Sequence, residues 1–434
     1  MPPRKKPACR EVLNYMFGLE RLGIRPGLAA IRGLLRLLGD PQRNLPSIHV
    51  AGTNGKGSTS AFIASILNDA GYKTGLYTSP HIARFNERMR IGRKDIADRD
   101  IVDIALAVKG AARHTARTPT FFEFTTAMAF LYFSGENADI AVIEAGMGGR
   151  LDATNALARP LVSVITEIGV DHTEYLGSTI EAIAHEKAGI IKKDGLVVTS
   201  EGDTAAGRVI RERAAQKNAR LFALGRDFMP KNADAKRLKF DYVGMDGLSL
   251  MGLRAGLFGM HQFRNASVAL ASIQCLKNLG WRIPEKNIRA GLKGVCWPGR
   301  FEVLRKSPLV ILDSAHNPHG AKALRAALDE MDYERLILVL GIMADKDIDG
   351  ILAHLAPAAH TVIAASPQTK RALGPSLLMD KLKAYNAKTV SMNDIPSAVR
   401  RALRIATAKD AICVTGSIFT IGEARDFLRR PSMP

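Results

Sequence analysis

Apolar runs rich in β-branched residues recur along the chain, and between them the apolar positions fall at helical spacing. SIHVAG, KTGLYTS, ADIAVIEAG, LVSVITEIG and GLVVTS are continuous enough to be strands buried on both faces. The intervening KGSTSAFIASILNDAG, DIVDIALAVKGAA and FEFTTAMAFLYFS predict helices. Strand–helix alternation of this kind predicts parallel βαβ units and an α/β fold of the phosphate-loop type, with a doubly wound, mostly parallel sheet. Residues 236–258 change character to short apolar pieces with glycine turns, which predicts an antiparallel appendage. NASVALASIQCLKNL and PEKNIRAGLKG predict helices after it. Beyond CWPGR (Cys296 to Arg300) the alternation restarts. PLVILDSAHNP, ERLILVLGIM, HTVIAAS, KTVSM and AICVTGS read as strands, with helices in GAKALRAALDEM and DIPSAVRRALRIA. The pattern predicts two domains, residues 1–297 and a smaller Rossmann-like α/β domain of residues 298–434. Clefts between domains are favoured ligand sites.

Composition narrows the class. A chain of 434 residues exceeds one ordinary core. With 47% hydrophobic and 24% charged residues it is neither disordered nor fibrous. No apolar run approaches bilayer length, and MPPRKKPACREVLNYMF lacks the apolar core and cleavage site of a signal peptide. Cys9, Cys275, Cys296 and Cys413 are scattered without a CxxC pair, which fits reduced thiols in a cytosol. The expectation is a cytoplasmic monomer with no membrane partner. A net charge of +19 raises nucleic acid as a partner. The basic residues are spread along the chain, however, apart from the tip PPRKK and clusters such as RERAAQK. A distributed field of this kind favours acidic small molecules, with no nucleic acid.

HVAGTNGKGSTSAF resembles a phosphate loop but departs from G-x-x-x-x-G-K-[ST]. Two residues separate Gly52 from Gly55, and Gly57 separates Lys56 from Ser58. The context is still strand, glycine-rich turn, helix. That order aims backbone N–H groups and a helix N-terminus at one spot, which stabilises anionic oxygens. Lys56 is placed to neutralise outer phosphates and Ser58 to reach Mg²⁺. A plain tight turn is the alternative, but it has no need of a lysine and a hydroxyl at the helix start.

Two more strand ends carry chemistry. ADIAVIEAG presents Glu144 where a nucleotide-binding strand offers a carboxylate to Mg²⁺, and LVSVITEIGVDH ends with Asp171 and His172. In a parallel sheet the three ends converge. In TIEAIAHEKAGIIK, Ile180, Ile183 and Ala184 make an apolar stripe whose next position is Lys187. A lysine there costs desolvation. Periodicity alone favours a snorkelling side chain. The sharper reading is a carbamate formed with CO₂, which turns the cation into a metal-binding anion.

Together with this loop, YTSPHIARFNERMRI, TFFEFTTAMAF, EAGMGGRLDATN, GVDHTEYLGSTIEAIAHEKAGIIK, GMHQFRNASVAL, WPGRFEV, DSAHNPHGA and VTGSIFTIGEAR follow in an order that resembles one family. It is the folylpolyglutamate synthase and dihydrofolate synthase branch of the Mur ligases, and the similarity runs over nearly the whole chain. The resemblance implies ATP-dependent amide formation between a pteroate or folate carboxylate and L-glutamate. It implies an ATP site at Gly52, Thr53, Asn54, Gly55, Lys56, Gly57 and Ser58, completed by Asn265, Arg300 and Asp313. Two Mg²⁺ ions would be held by Ser58, Ser79, Glu144, His172 and a carbamylated Lys187, and Lys56, Glu144, His172 and Lys187 form the catalytic set. The pterin-bearing substrate would lie against Ile24, Arg25, Pro26, Thr120, Phe121, Phe122, Glu123, Leu151, Asp152 and Ala153. His316 and Ser417 would face the incoming glutamate.

The residues of RFNERMR add an expectation of their own. Arg84, Arg88 and Arg90 share one loop, which either draws in acidic substrate or is merely solvated. There are departures from the family. Ser314 stands where glycine is usual, GLAAI lacks a common glutamate, and Phe419 replaces a tyrosine. The expected chemistry is attack of the carboxylate on the ATP γ-phosphate, then attack of the glutamate amine on the acyl phosphate. A cell-wall Mur-type ligase is the nearest alternative, disfavoured by TFFEF and RLDATN and by the absence of room for an N-terminal UDP-binding domain. A nucleic-acid-stimulated NTPase is further away. Whether dihydropteroate, folates or both are used is open, with the bifunctional form expected.

Overall fold

The computed structural model describes residues 7–385 and 387–429, so the basic tip PPRKK lies outside the described residues. Eight strands form the first sheet: β1 (Ser47–Ala51), β2 (Thr74–Tyr77), β3 (Met89–Ile91), β4 (Lys94–Asp95), β5 (Ile140–Glu144), β6 (Val162–Ile165), β7 (Leu196–Thr199) and β8 (Arg220–Ala223). Their spatial order is β4-β3-β2-β5-β1-β6-β7-β8. All neighbours are parallel except at the β3–β4 edge, a hairpin that pairs antiparallel with β2. β1 lies at the crossover between β5 and β6, with Val50 opposite Glu144 and Ala51 opposite Ile165. The ends of β1, β5 and β6 therefore open on one edge of the sheet, where doubly wound folds bind ligands.

Alternation along β1 explains its burial. Ile48 and Val50 point into a core with Phe62, Ile63, Ile66 and Leu67 of helix Lys56–Asp69 and with Phe263 and Leu270 of helix Met260–Asn278. Burying each of those large side chains contributes about 1.5–3 kcal/mol. On the opposite face, Ile143 and Tyr77 pack with Phe124, Phe130 and Phe133 of helix Phe121–Gly135. Met16 and Leu34 reach the same core from helices Cys9–Gly18 and Ala29–Leu37. The elements expected from the sequence did not include these two N-terminal helices, the β3–β4 hairpin or β8. The expected antiparallel appendage is a three-stranded sheet of β9 (Met229–Asp234), β10 (Lys239–Val243) and β11 (Ser249–Arg254), starting a few residues earlier than predicted.

A second sheet contains β12 (Glu302–Lys306), β13 (Leu309–Leu312), β14 (Leu336–Leu340), β15 (Thr361–Ala364), β16 (Lys388–Ser391) and β17 (Ala411–Thr415). Its order is β12-β13-β17-β14-β15-β16, parallel except for the edge strand β12. The carboxyl ends of β13 and β14 present their loops to the phosphate-loop edge of the first sheet. Asn317 Nδ2 donates to Asn54 Oδ1 at 3.1 Å, and Lys346 Nζ lies 2.7 Å from Asp171 Oδ1.

Candidate active site

The strand-to-helix turn after β1 is a built loop. The Thr53 and Asn54 N–H groups both donate to Glu167 O, at 2.8 and 3.1 Å. Gly55 turns the chain with φ +84°, and a Cβ there would stand 2.4 Å from Asn265 Oδ1. Only glycine meets both demands. Helix Lys56–Asp69 starts at the next residue, so its first free N–H groups face the cleft. Lys56 folds back, donating to Gly52 O at 3.0 Å and Thr53 O at 3.1 Å. Burial lowers its ammonium pKa, opposed by the nearby Glu144 and Asp171 carboxylates.

Glu144 ends β5 beside this loop, 4% exposed. It accepts one hydrogen bond, from Ser79 N at 3.3 Å. Burial raises its carboxyl pKa, and Lys56 opposes the shift. Lys187 is 4% exposed and donates to Gly52 O at 2.8 Å. The amine is thus sealed in rather than snorkelling. Burial, with Lys56 adding repulsion, pushes its pKa down to about 7. After β6, Asp171 is drawn toward the second sheet. Burial alone would raise its carboxyl, but His316, His172 and Lys346 outweigh it and hold it well below the usual range. His172 has left-handed φ 52° and is pushed down to about 4 by burial, so its ring is neutral at pH 7.

From the second sheet come Arg300, Asp313 and His316. Asp313 accepts from Phe301 N and Ala315 N, both at 2.9 Å, which ties the crossing segment to the loop after β13. Arg300 Nη1 bonds Ser314 Oγ. These residues, with Asn265, Lys56, Ser58, Ser79, Glu144, His172 and Lys187, enclose a cavity of about 180 Å³.

A second cavity, of about 440 Å³, is lined by Ile24, Arg25, Pro26, Thr120, Phe121, Phe122, Leu151 and Asp152. It shares Ser79, Pro80, Gly146 and Met147 with the first, so the two communicate beside Glu144. A third, also about 440 Å³, adjoins the first through Glu167, His261 and His319.

Four expected site residues lie outside these three cavities. Arg84 turns outward to Asp98 at 3.2 Å and lines none of the three cavities. Glu123 is buried in a capping box with Thr120 and pairs with Arg117 at 2.7 Å, so it holds a helix start rather than substrate. Ala153 lies behind the wall, in the short turn capped by Asp152. Ser417 is 3% exposed and spends its hydroxyl on Thr420, at 2.8 Å.

Two residues gain weight instead. Arg88, 7% exposed, lines the second cavity, lies 5.1 Å over the Phe121 ring and donates through Nε to His81 Nδ1 at 2.8 Å. No carboxylate pairs with it among the described residues, an expensive state for a buried cation that an anionic ligand would relieve. Lys346 was not anticipated, although a lysine just past the strand in LILVLGIMADKD was a readable signal.

Ser58, Ser79 and Glu144 offer hard oxygen donors and fit Mg²⁺, which usually takes few protein ligands beside substrate phosphates. Glu144, buried with a single hydrogen bond, is the observation that supports the fit. No cluster of three His, Cys, Asp or Glu side chains forms a metal cage among the described residues. His172 and Lys187 face the same cavity, but Lys187 becomes a ligand only if its amine is converted to an anion.

Two family models match the chain: the Mur ligase middle domain over residues 50–273, and the Mur ligase glutamate ligase domain over residues 299–418. A folylpolyglutamate synthase of Lacticaseibacillus casei is 36% identical, covering 96% of this chain and 98% of its own. A dihydrofolate synthase/folylpolyglutamate synthase of Bacillus subtilis is 34% identical, over 97% and 99%. Among solved structures, a Mycobacterium tuberculosis folylpolyglutamate synthase complexed with ADP superposes with TM-score 0.91 at 33% identity, covering 98% and 99%. E. coli FolC in complex with DHPP and ADP gives TM-score 0.88 at 31% identity, over 97% and 98%.

Proposed function

This chain belongs to the folylpolyglutamate synthase/dihydrofolate synthase family of Mur ligases, and on that premise we propose how its joined cavities perform ATP-dependent ligation of glutamate to folates. ATP takes the phosphate-loop cavity, with its base toward the third cavity. The pterin takes the aromatic-walled cavity, its carboxylate directed to the junction at Ser79. That junction is the observation that carries the reading, because a carboxylate and a γ-phosphate entering from the two cavities would meet there, beside Glu144 and Lys56.

The carboxylate oxygen attacks the γ-phosphorus, the bond to ADP breaks, and an acyl phosphate forms. Lys56 and Arg300 offset the charge that develops on the transferring group. The glutamate amine, received near His316 and Lys346, then attacks the acyl carbon, and phosphate departs with its bonding electrons. The second sheet closes the cleft and keeps water from the acyl phosphate. Arg88 anchors a substrate carboxylate from beneath the pterin. Mg²⁺ held by Ser58, Ser79 and Glu144 supplies further charge neutralisation when bound. Lys187, buried with no ion pair among the described residues, is suited to add CO₂ and lose a proton. The resulting carbamate, with His172, would hold a second ion. Intact mass measured at neutral pH, with and without CO₂, checks this, and an unchanged mass contradicts it.

The same reading has a cytoplasmic monomer acting on small molecules, without nucleic acid. No helix among the described residues is long and apolar enough to cross a membrane. Dihydropteroate and tetrahydrofolate are both expected substrates. Assayed side by side with ATP and glutamate, both should give glutamate-dependent ADP. Turnover of one alone removes the bifunctional assignment, and turnover of neither removes the ligase assignment.

A further inference from the structure

Gly57 is the residue that breaks the usual phosphate-loop pattern, and its backbone does not require glycine. It lies in the first turn of helix Lys56–Asp69 and is absent from the positive-φ positions. At such a position alanine is ordinarily preferred by about 1 kcal/mol. What glycine supplies is room. A Cβ on Gly57 would stand 2.9 Å from Trp297 Nε1 and 3.4 Å from its Cε2. The indole edge rests on the backbone of the phosphate helix.

Trp297 is also held elsewhere. The Arg90 guanidinium, carried on β3, covers its ring at 5.1 Å from the centroid, and the ring packs against the larger core of the first sheet. This occurs where the chain crosses to the second sheet. Three residues on, the Arg300 N–H returns to Trp297 O at 3.3 Å, closing a turn. The Arg300 side chain then enters the nucleotide cavity. One short segment therefore touches the phosphate loop with its first residue and the cavity with its last.

We propose that Trp297 is a positioning residue: seated on Gly57, it fixes the crossing segment to the phosphate loop, so that Arg300 and Lys56 address the same phosphoryl group. Gly57 is glycine to make that seat. The inference rests on the ligase reading of the site. It explains the unusual spacing as an adaptation to a two-domain cleft, in which one phosphate ligand arrives from the segment joining the sheets.

The chain has two tryptophans, and Trp281 packs at a tilt against Tyr72 outside the cavities described. In a Trp281→Phe background, Trp297 emission should shift on ADP saturation. Gly57→Ala should abolish that shift and lower kcat/KM for ATP about tenfold, while leaving KM for glutamate within about twofold. Trp297→Phe, which keeps an aromatic face for Arg90, should lose less than Trp297→Leu. In the double variant Gly57→Ala/Trp297→Leu the added methyl meets no indole, so it should be no worse than Trp297→Leu alone. Additive losses in that double variant, or emission indifferent to ADP, overturn the proposal. An ADP-responsive emission in a protein without glutamate-dependent turnover instead locates the failure in the ligase reading.

Discussion

Lys187 and Arg88 show what burial does to a cation in this cleft. The Lys187 amine drops from 10.5 to about 7 on folding. Between those values the unfolded chain binds the extra proton, so stability rises as pH climbs from 7 to 10.5 and is lowest below 7. In CO₂-free buffer, denaturant titrations should show that slope, and Lys187→Met should flatten it. Arg88→Ala should remove a charge-assisted contact worth about 1.5–3 kcal/mol, or roughly 10–100-fold in KM for the pterin substrate. KM for ATP should be unmoved. Helical spacing in TIEAIAHEKAGIIK already set Lys187 on the apolar stripe. Choosing among Arg84, Arg88 and Arg90 was beyond the sequence, because a short turn and the Phe121 ring decide which guanidinium points inward. Glu123 was readable: T-x-x-E at a helix start is the capping-box spacing, and the buried pair with Arg117 follows it.

At the scale of elements, the strand ends were legible because β1, β5 and β6 are short, mostly apolar and β-branched runs buried along their length. The N-terminal helices were readable but passed over: Val12 and Met16 fall at i, i+4, and Ile31, Leu34 and Leu35 at i, i+3, i+4; β3 and β4 are too short to carry a period. The loop from β5 to the second cavity is held by a chain of polar atoms that no pattern suggested. His49 Nε2 lies 2.8 Å from Thr154 Oγ1, which donates to Asp152 Oδ1 at 2.5 Å; Asp152 Oδ2 accepts from Met147 N at 2.9 Å. Burial drives His49 down to about 3, so it serves as a neutral donor. Thr154→Val should leave two buried polar groups short of a partner and cost about 1–3 kcal/mol by chemical denaturation. It should also raise KM for the pterin substrate, because Met147 and Asp152 line that cavity.

Over the whole molecule, the two sheets meet through few but well-placed contacts. Asn54 joins the phosphate loop to Asn317 at 3.1 Å and to His319 at 2.9 Å, and His319 reaches Glu167 at 3.2 Å. Asn54→Ala should loosen this closure, widening the small-angle scattering envelope of the ADP complex and raising KM for ATP. The two-domain plan was legible from the restart of strand–helix alternation after CWPGR. The cross-cleft contacts were not, since the residues that make them stand far apart in the chain, by 175 positions for Asp171 and Lys346 and by 265 for Asn54 and His319. The proposed ligation requires a carboxylate and a γ-phosphate to meet where the cavities join. Oxygen-18 placed in the carboxylate of dihydropteroate tests it most directly. One labelled oxygen should be recovered in the released phosphate for each amide formed. Unlabelled phosphate alongside amide product would contradict it.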